Sequence, residues 1–178
     1  NTQGAMACID AGDVKDGKPT ILWKKEGIKA KFASPVVHEG RVYIPDEVAT
    51  LYCLDAKNGE ELWKFRYGRN SKGSPVWADG KIYIAEVSAK FHILQPGDKS
   101  CKRLHSQFFR DPEGNTEDVE LNGSPAIANG RVYFCTSEEM YCIGKKEPGK
   151  PDPIPEEPKE AAAGAKVKPV VQYSYANI

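Results

Sequence analysis

Apolar and polar positions alternate along this chain in short bursts, and one burst occurs three times. Ser34-Pro35-Val36-Val37-His38-Glu39-Gly40-Arg41-Val42-Tyr43-Ile44 is the first copy. Ser74-Pro75-Val76-Trp77-Ala78-Asp79-Gly80-Lys81-Ile82-Tyr83-Ile84 and Ser124-Pro125-Ala126-Ile127-Ala128-Asn129-Gly130-Arg131-Val132-Tyr133-Phe134 follow. Each reads Ser-Pro, two apolar positions, two variable ones, Gly, a basic residue, a β-branched residue, Tyr and an apolar residue. Alternation with β-branched and aromatic residues predicts strands. Glu39-Gly40, Asp79-Gly80 and Asn129-Gly130 are two-residue turns that favour positive φ, so each copy is a hairpin. The proline stands where its strand begins, where a missing N–H is tolerated.

A second hairpin follows each first one. Leu51-Tyr52-Cys53-Leu54-Asp55 reads as a strand, Ala56-Lys57-Asn58-Gly59 as a turn and Glu60-Glu61-Leu62-Trp63-Lys64-Phe65 as the return strand. Near the N-terminus Met6-Ala7-Cys8-Ile9-Asp10 and Ile21-Leu22-Trp23-Lys24 repeat this pair, joined by a longer turn through Asp13, Asp16 and Gly17. Phe91-His92-Ile93-Leu94-Gln95 has a degenerate return strand around Leu104, and Met140-Tyr141-Cys142-Ile143 has no convincing one. Ser34 and Ser74 are 40 positions apart, as are Trp23 and Trp63. Four strands at that period predict an all-β chain of propeller blades, each of four antiparallel strands. About three and a quarter blades are expected, ten extra polar residues lengthening the third unit.

Cys53-Leu54-Asp55-Ala56-Lys57-Asn58-Gly59-Glu60-Glu61-Leu62-Trp63 resembles the pyrroloquinoline-quinone (PQQ) repeat. Asp55, Gly59 and Trp63 carry the likeness, and Asp10 with Trp23 carries a stretched copy. Asp55 can close an Asx turn, Gly59 can take a left-handed conformation, and Trp63 can fill a gap between blades. The resemblance implies that the Trp docks one blade onto the next. It covers roughly residues 5–145 and extends to PQQ-binding-like propeller proteins related to the outer-membrane assembly lipoprotein. A periplasmic or extracellular bacterial location is implied with it. The chain departs from the pattern at Gln95 and Gly144, where Asp is expected, and at Leu104, near the expected Trp.

A propeller usually has four to eight blades, so three readings stand. The chain is the C-terminal part of a longer propeller, closes by oligomerising, or is an open arc. Residues 1–146 are assigned to blades. Five prolines over 147–158 open a stiff linker spanning 147–166. The alternating segment 167–178 is a tail on the propeller or the first strand of a following domain.

Composition narrows the partners. Among 178 residues, 25 Lys+Arg balance 25 Asp+Glu, which disfavours a general nucleic-acid binder. No apolar run is long enough for a membrane-spanning helix, and no signal peptide is visible. The five cysteines include no CxxC pair. Cys8, Cys53 and Cys142 share one repeat position and are read as small buried thiols.

No catalytic set emerges. His38, His92 and His105 share no ligand spacing, and Asp10, Asp13 and Asp16 lack the alternate spacing of a calcium loop. Ser34, Ser74 and Ser124, like Tyr43, Tyr83 and Tyr133, recur too regularly for a nucleophile and are read as structural. Candidates for interaction are residues that do not recur: Trp77 and the acidic loop with Asp111, Glu113, Glu117 and Asp118. The expected function is a non-catalytic scaffold or binding module for a protein or cell-envelope component, without PQQ or calcium. The rest of its own propeller would be a further partner. The alternative is a fragment of a PQQ-dependent quinoprotein dehydrogenase, a family that would bring a quinone seat and calcium ligands.

Overall fold

At the first hairpin turns, Glu39, Asp79 and Asn129 have φ of 45°, 49° and 52°, each followed by a glycine at positive φ. Two successive left-handed residues match the twist of the strands they join. In a computed structural model, residues 4–109 and 119–145 are described. The linker and tail expected over 147–178 lie outside them, as do Asp111, Glu113, Glu117 and Asp118.

Thirteen strands form four antiparallel sheets among the described residues. β1 (Ala5–Lys15) pairs with β2 (Lys18–Glu26). β3 (Val36–His38), β4 (Arg41–Pro45), β5 (Thr50–Asp55) and β6 (Glu61–Arg66) make a four-stranded meander. β7 (Val76–Ala78), β8 (Lys81–Glu86), β9 (Lys90–Pro96) and β10 (Cys101–Phe108) make a second. β11 (Ala126–Ala128), β12 (Arg131–Cys135) and β13 (Met140–Gly144) form a three-stranded sheet. No helix among the described residues is long and apolar enough to cross a membrane.

Two local expectations change. The N-terminal hairpin has no long loop: β1 and β2 run to a tight turn at Asp16-Gly17, with φ of 51° and 75°. A bulge between Asp10 and Val14 absorbs the extra residues. The third unit has a full return strand, and Leu104 is not its Trp equivalent. Cys8 pairs with Trp23 and Cys53 with Trp63, while Ile93 pairs with His105. His105 therefore occupies the Trp position. Leu22, Leu62 and Leu104 are the bulged residues just before it, and all three are exposed.

The core lies between sheets rather than within one layer. One cluster joins Trp23 and Ile28 to Val42, Ile44 and Leu54 of the next sheet. The next joins Tyr43, Leu51, Cys53 and Trp63 to Ile82, Ile84 and Leu94. The last joins Ala85 and Phe91 to Leu121 and Phe134. Each four-stranded sheet is thus buried on both faces by its neighbours, so alternate side chains of one strand enter different clusters.

Candidate functional site

The recurring residues meet at the seams between sheets. At the outer edge, Trp23 Nε1 donates to the Ala56 carbonyl of the next sheet at 2.9 Å. Trp63 Nε1 donates in the same sense to the Gly97 carbonyl at 3.0 Å. Burying an indole is favourable only if its N–H finds an acceptor, and the neighbouring outer turn supplies it. Gly59 explains the rest of the motif: its φ is +75°, and a Cβ there would lie 2.6 Å from Trp23 Cε3. Asp10 and Asp55 each accept a backbone N–H two residues on, from Gly12 at 2.8 Å and Lys57 at 2.7 Å. Arg41 strengthens the second seam, donating to Gly97 O at 3.1 Å and to Asp98 Oδ1 at 2.7 Å.

The inner edge has its own seam. The backbone N–H of Ser34 donates to Ser74 Oγ at 2.8 Å, and that of Ser74 donates to Ser124 Oγ at 2.8 Å. The triplicated serines form a directional ladder from each sheet to the next. Gly73 lets the chains approach, since a Cβ there would stand 2.5 Å from the Gly123 carbonyl oxygen. The exact spacing of the serines was the available sequence signal, but a backbone-to-hydroxyl bond across sheets has no signature within one repeat.

A third recurring position was not singled out from sequence. Asp46 and Thr136 directly follow β4 and β12, Glu86 at the matching position ends β8, and each bonds to the turn after it. Asp46 Oδ1 accepts from the N–H groups of Val48 and Thr50, and Thr136 Oγ1 from those of Glu138 and Glu139. Glu86 Oε1 accepts from Arg69 N at 2.9 Å and Ser88 Oγ at 2.8 Å, and its Oε2 lies 3.1 Å from His92 Nε2. Glu86 and His92 are both buried. Burial pushes the Glu86 carboxyl upward, but Ser88, the Arg69 N–H and His92 outweigh it and leave it below its ordinary range. Burial pushes His92 down, against the opposing pull of Glu86 and with the help of Arg103.

Trp77 packs into the seam as well: its ring stacks on His38 of the preceding sheet at 4.1 Å and on Tyr43 at 5.4 Å. All five cysteines are free. Burial pushes the thiols of Cys53 and Cys101 up to about 11 and about 12, so both stay protonated at neutral pH. Cys142 departs from the expected burial and is exposed, whereas Cys8 is half-buried. At this position the side chain faces the following sheet, and none follows β13 among the described residues.

Among the described residues, no three His, Cys, Asp or Glu side chains gather as metal ligands. Asp46 and Asp55 are committed to their own turns, and Glu86 to the Arg69 N–H, Ser88 and His92.

Three proteins with different functions are similar to this chain. A quinohemoprotein alcohol dehydrogenase ADH IIB of Pseudomonas putida is 24% identical over 147 residues, 76% of this chain and 20% of the enzyme. The serine/threonine-protein kinase AfsK of Streptomyces griseus is 30% identical over 64% of this chain and 14% of the kinase. The crystal structure of BamB from Moraxella catarrhalis superposes with a TM-score of 0.62 at 14% identity, covering 80% of this chain and 40% of BamB. The chain thus spans a fifth of the dehydrogenase and two fifths of BamB. The likeness to BamB fixes the propeller-type fold, and the family model described as outer membrane protein assembly factor BamB matches residues 13–167. With that match running over most of its length, the chain belongs to the BamB family of β-propeller repeat proteins.

Proposed function

We propose that this chain is a non-catalytic stretch of propeller blades that scaffolds interactions with a protein or envelope component in the bacterial cell envelope. Its four sheets are read as about three and a quarter blades of a larger ring. One observation carries the reading: the recurring residues are consumed in holding sheet to sheet. Trp23, Trp63, Gly59 and the serine ladder all act across seams, which leaves variable loops as the surface for partners. Membership of the BamB family supports the envelope location and the binding role.

The dehydrogenase reading is favoured by the quinohemoprotein alcohol dehydrogenases of Pseudomonas putida and Comamonas testosteroni that the chain resembles. The two readings separate in one assay. The full-length protein is mixed with pyrroloquinoline quinone, calcium, a primary alcohol and a redox dye. A scaffold leaves the dye oxidised. Alcohol-dependent dye reduction would overturn the proposal in favour of a quinoprotein.

A further inference from the structure

Where the second four-stranded sheet meets the first, on the side of the β8–β9 turn, lies a cleft of about 280 Å³. It is built from the β6–β7 connection, that turn and β10. Four basic residues line it: Arg66, Arg69, Lys90 and Arg103. The acid that lines it, Glu86, offsets only one of the four charges. Its oxygens are taken by the Arg69 backbone N–H, Ser88 and His92. Among the described residues, none of the four basic side chains forms an ion pair.

Two of the guanidiniums are held in place by carbonyls. Arg103 Nη2 donates to Tyr67 O at 2.6 Å, and Arg66 Nε donates to Gly68 O at 3.1 Å. Each retains further N–H groups, because a guanidinium carries five. The cleft also includes a buried polar group: His92 is 1% exposed, and its Nδ1 has no hydrogen-bond partner among the described residues. Concentrated positive charge and oriented donors together suit a negatively charged oxygen ligand.

We propose that this cleft is an oxyanion subsite, taking one carboxylate or phosphate group between Arg69, Lys90 and Arg103. The cavity has room for one such group and the stem that carries it, not for a cofactor-sized ring system. The site does not depend on how many blades complete the ring.

The test is an NMR titration of the full chain at pH 7 and constant ionic strength, with inorganic phosphate in one arm and glutarate in the other. Backbone signals around Arg69 and the ring signals of His92 are followed. Saturable shifts below about 10 mM are expected in at least one arm. Saturation by phosphate alone assigns a phosphoryl source, and saturation by glutarate alone assigns a carboxylate; either supports the subsite. Arg69→Gln and Lys90→Gln, both away from the packed core, should each weaken binding by about tenfold. Lys57→Gln, outside the cleft, should leave it unchanged. A bound anion would also offset Arg103 and Lys90, the cations that face His92 alongside Glu86, and so raise the pH at which its ring titrates. Failure of both anions to saturate would overturn the proposal, as would equal binding by Arg69→Gln and wild type, or an unmoved His92 titration.

Discussion

At the scale of single residues, the repeat works because a large ring and a missing Cβ meet across a seam. Trp23 lies on Gly59, and its N–H reaches one residue group away to Ala56. Gly59→Ala would push a methyl into the indole from a left-handed backbone, so a loss of about 1–3 kcal/mol is expected in urea denaturation. Trp63→Ala should cost about 3–5 kcal/mol, because it empties the seam and removes the bond to Gly97. Trp63→Phe keeps most of the packing and should cost less.

The Glu86–His92 pair makes a separate residue-scale prediction. His92 titrates below its ordinary value of 6.5 in the folded chain. As pH falls below 6.5, the unfolded chain takes up a proton that the folded one refuses, so stability declines until His92 itself is protonated. Glu86, held below its ordinary 4.5, adds a further loss only at lower pH, as its folded carboxyl is protonated. Melting temperature should therefore fall between pH 7 and pH 5, and His92→Gln should flatten that fall. An unchanged slope in the variant would place the acid sensitivity elsewhere.

At the scale of elements, strands and turns were legible because their causes are local. Asn129-Gly130 and its two relatives need positive φ whatever surrounds them, and Val42-Tyr43-Ile44 alternates because it is pleated. The Asp-Gly-Trp spacing was legible because it recurs, although Gly59 and Trp23 meet across a seam. What escaped depends on the neighbouring sheet. Leu104 reads as a worn tryptophan in one dimension; only the pairing of Ile93 with His105 reveals a bulge that shifts the count by one. Asp46, Glu86 and Thr136 differ chemically, so their shared role as turn caps shows only in register. The triplicated serines were recognised as structural, but the ladder they form runs between elements 40 and 50 residues apart. That ladder is testable through its direction. Ser74→Ala removes an acceptor that Ser34 uses and should cost about 1 kcal/mol. Ser34→Ala should cost less, because no described N–H reaches Ser34 Oγ. Equal losses in the two variants would contradict the direction of the ladder.

At the scale of the whole molecule, matched repeat positions show where the stack is open. Leu51 and Phe91 face the following sheet and are 0% and 6% exposed, while Met140 at the same position is 71% exposed. Leu54 and Leu94 face the preceding sheet, each beneath a tryptophan, and both are fully buried. Ile9 has no described sheet before it and is 50% exposed; Ile143, at the matching position of the last sheet, is 47% exposed. The same side-chain types are thus core in the middle of the stack and surface at its ends. Such faces favour further association, with more blades or with another copy. Sedimentation of the 178-residue chain across a range of concentrations tests this most directly. Open-ended blades predict concentration-dependent self-association, weakened when Met140 is replaced by Glu. A monomer at every concentration, unfolding in one cooperative transition, would contradict the account.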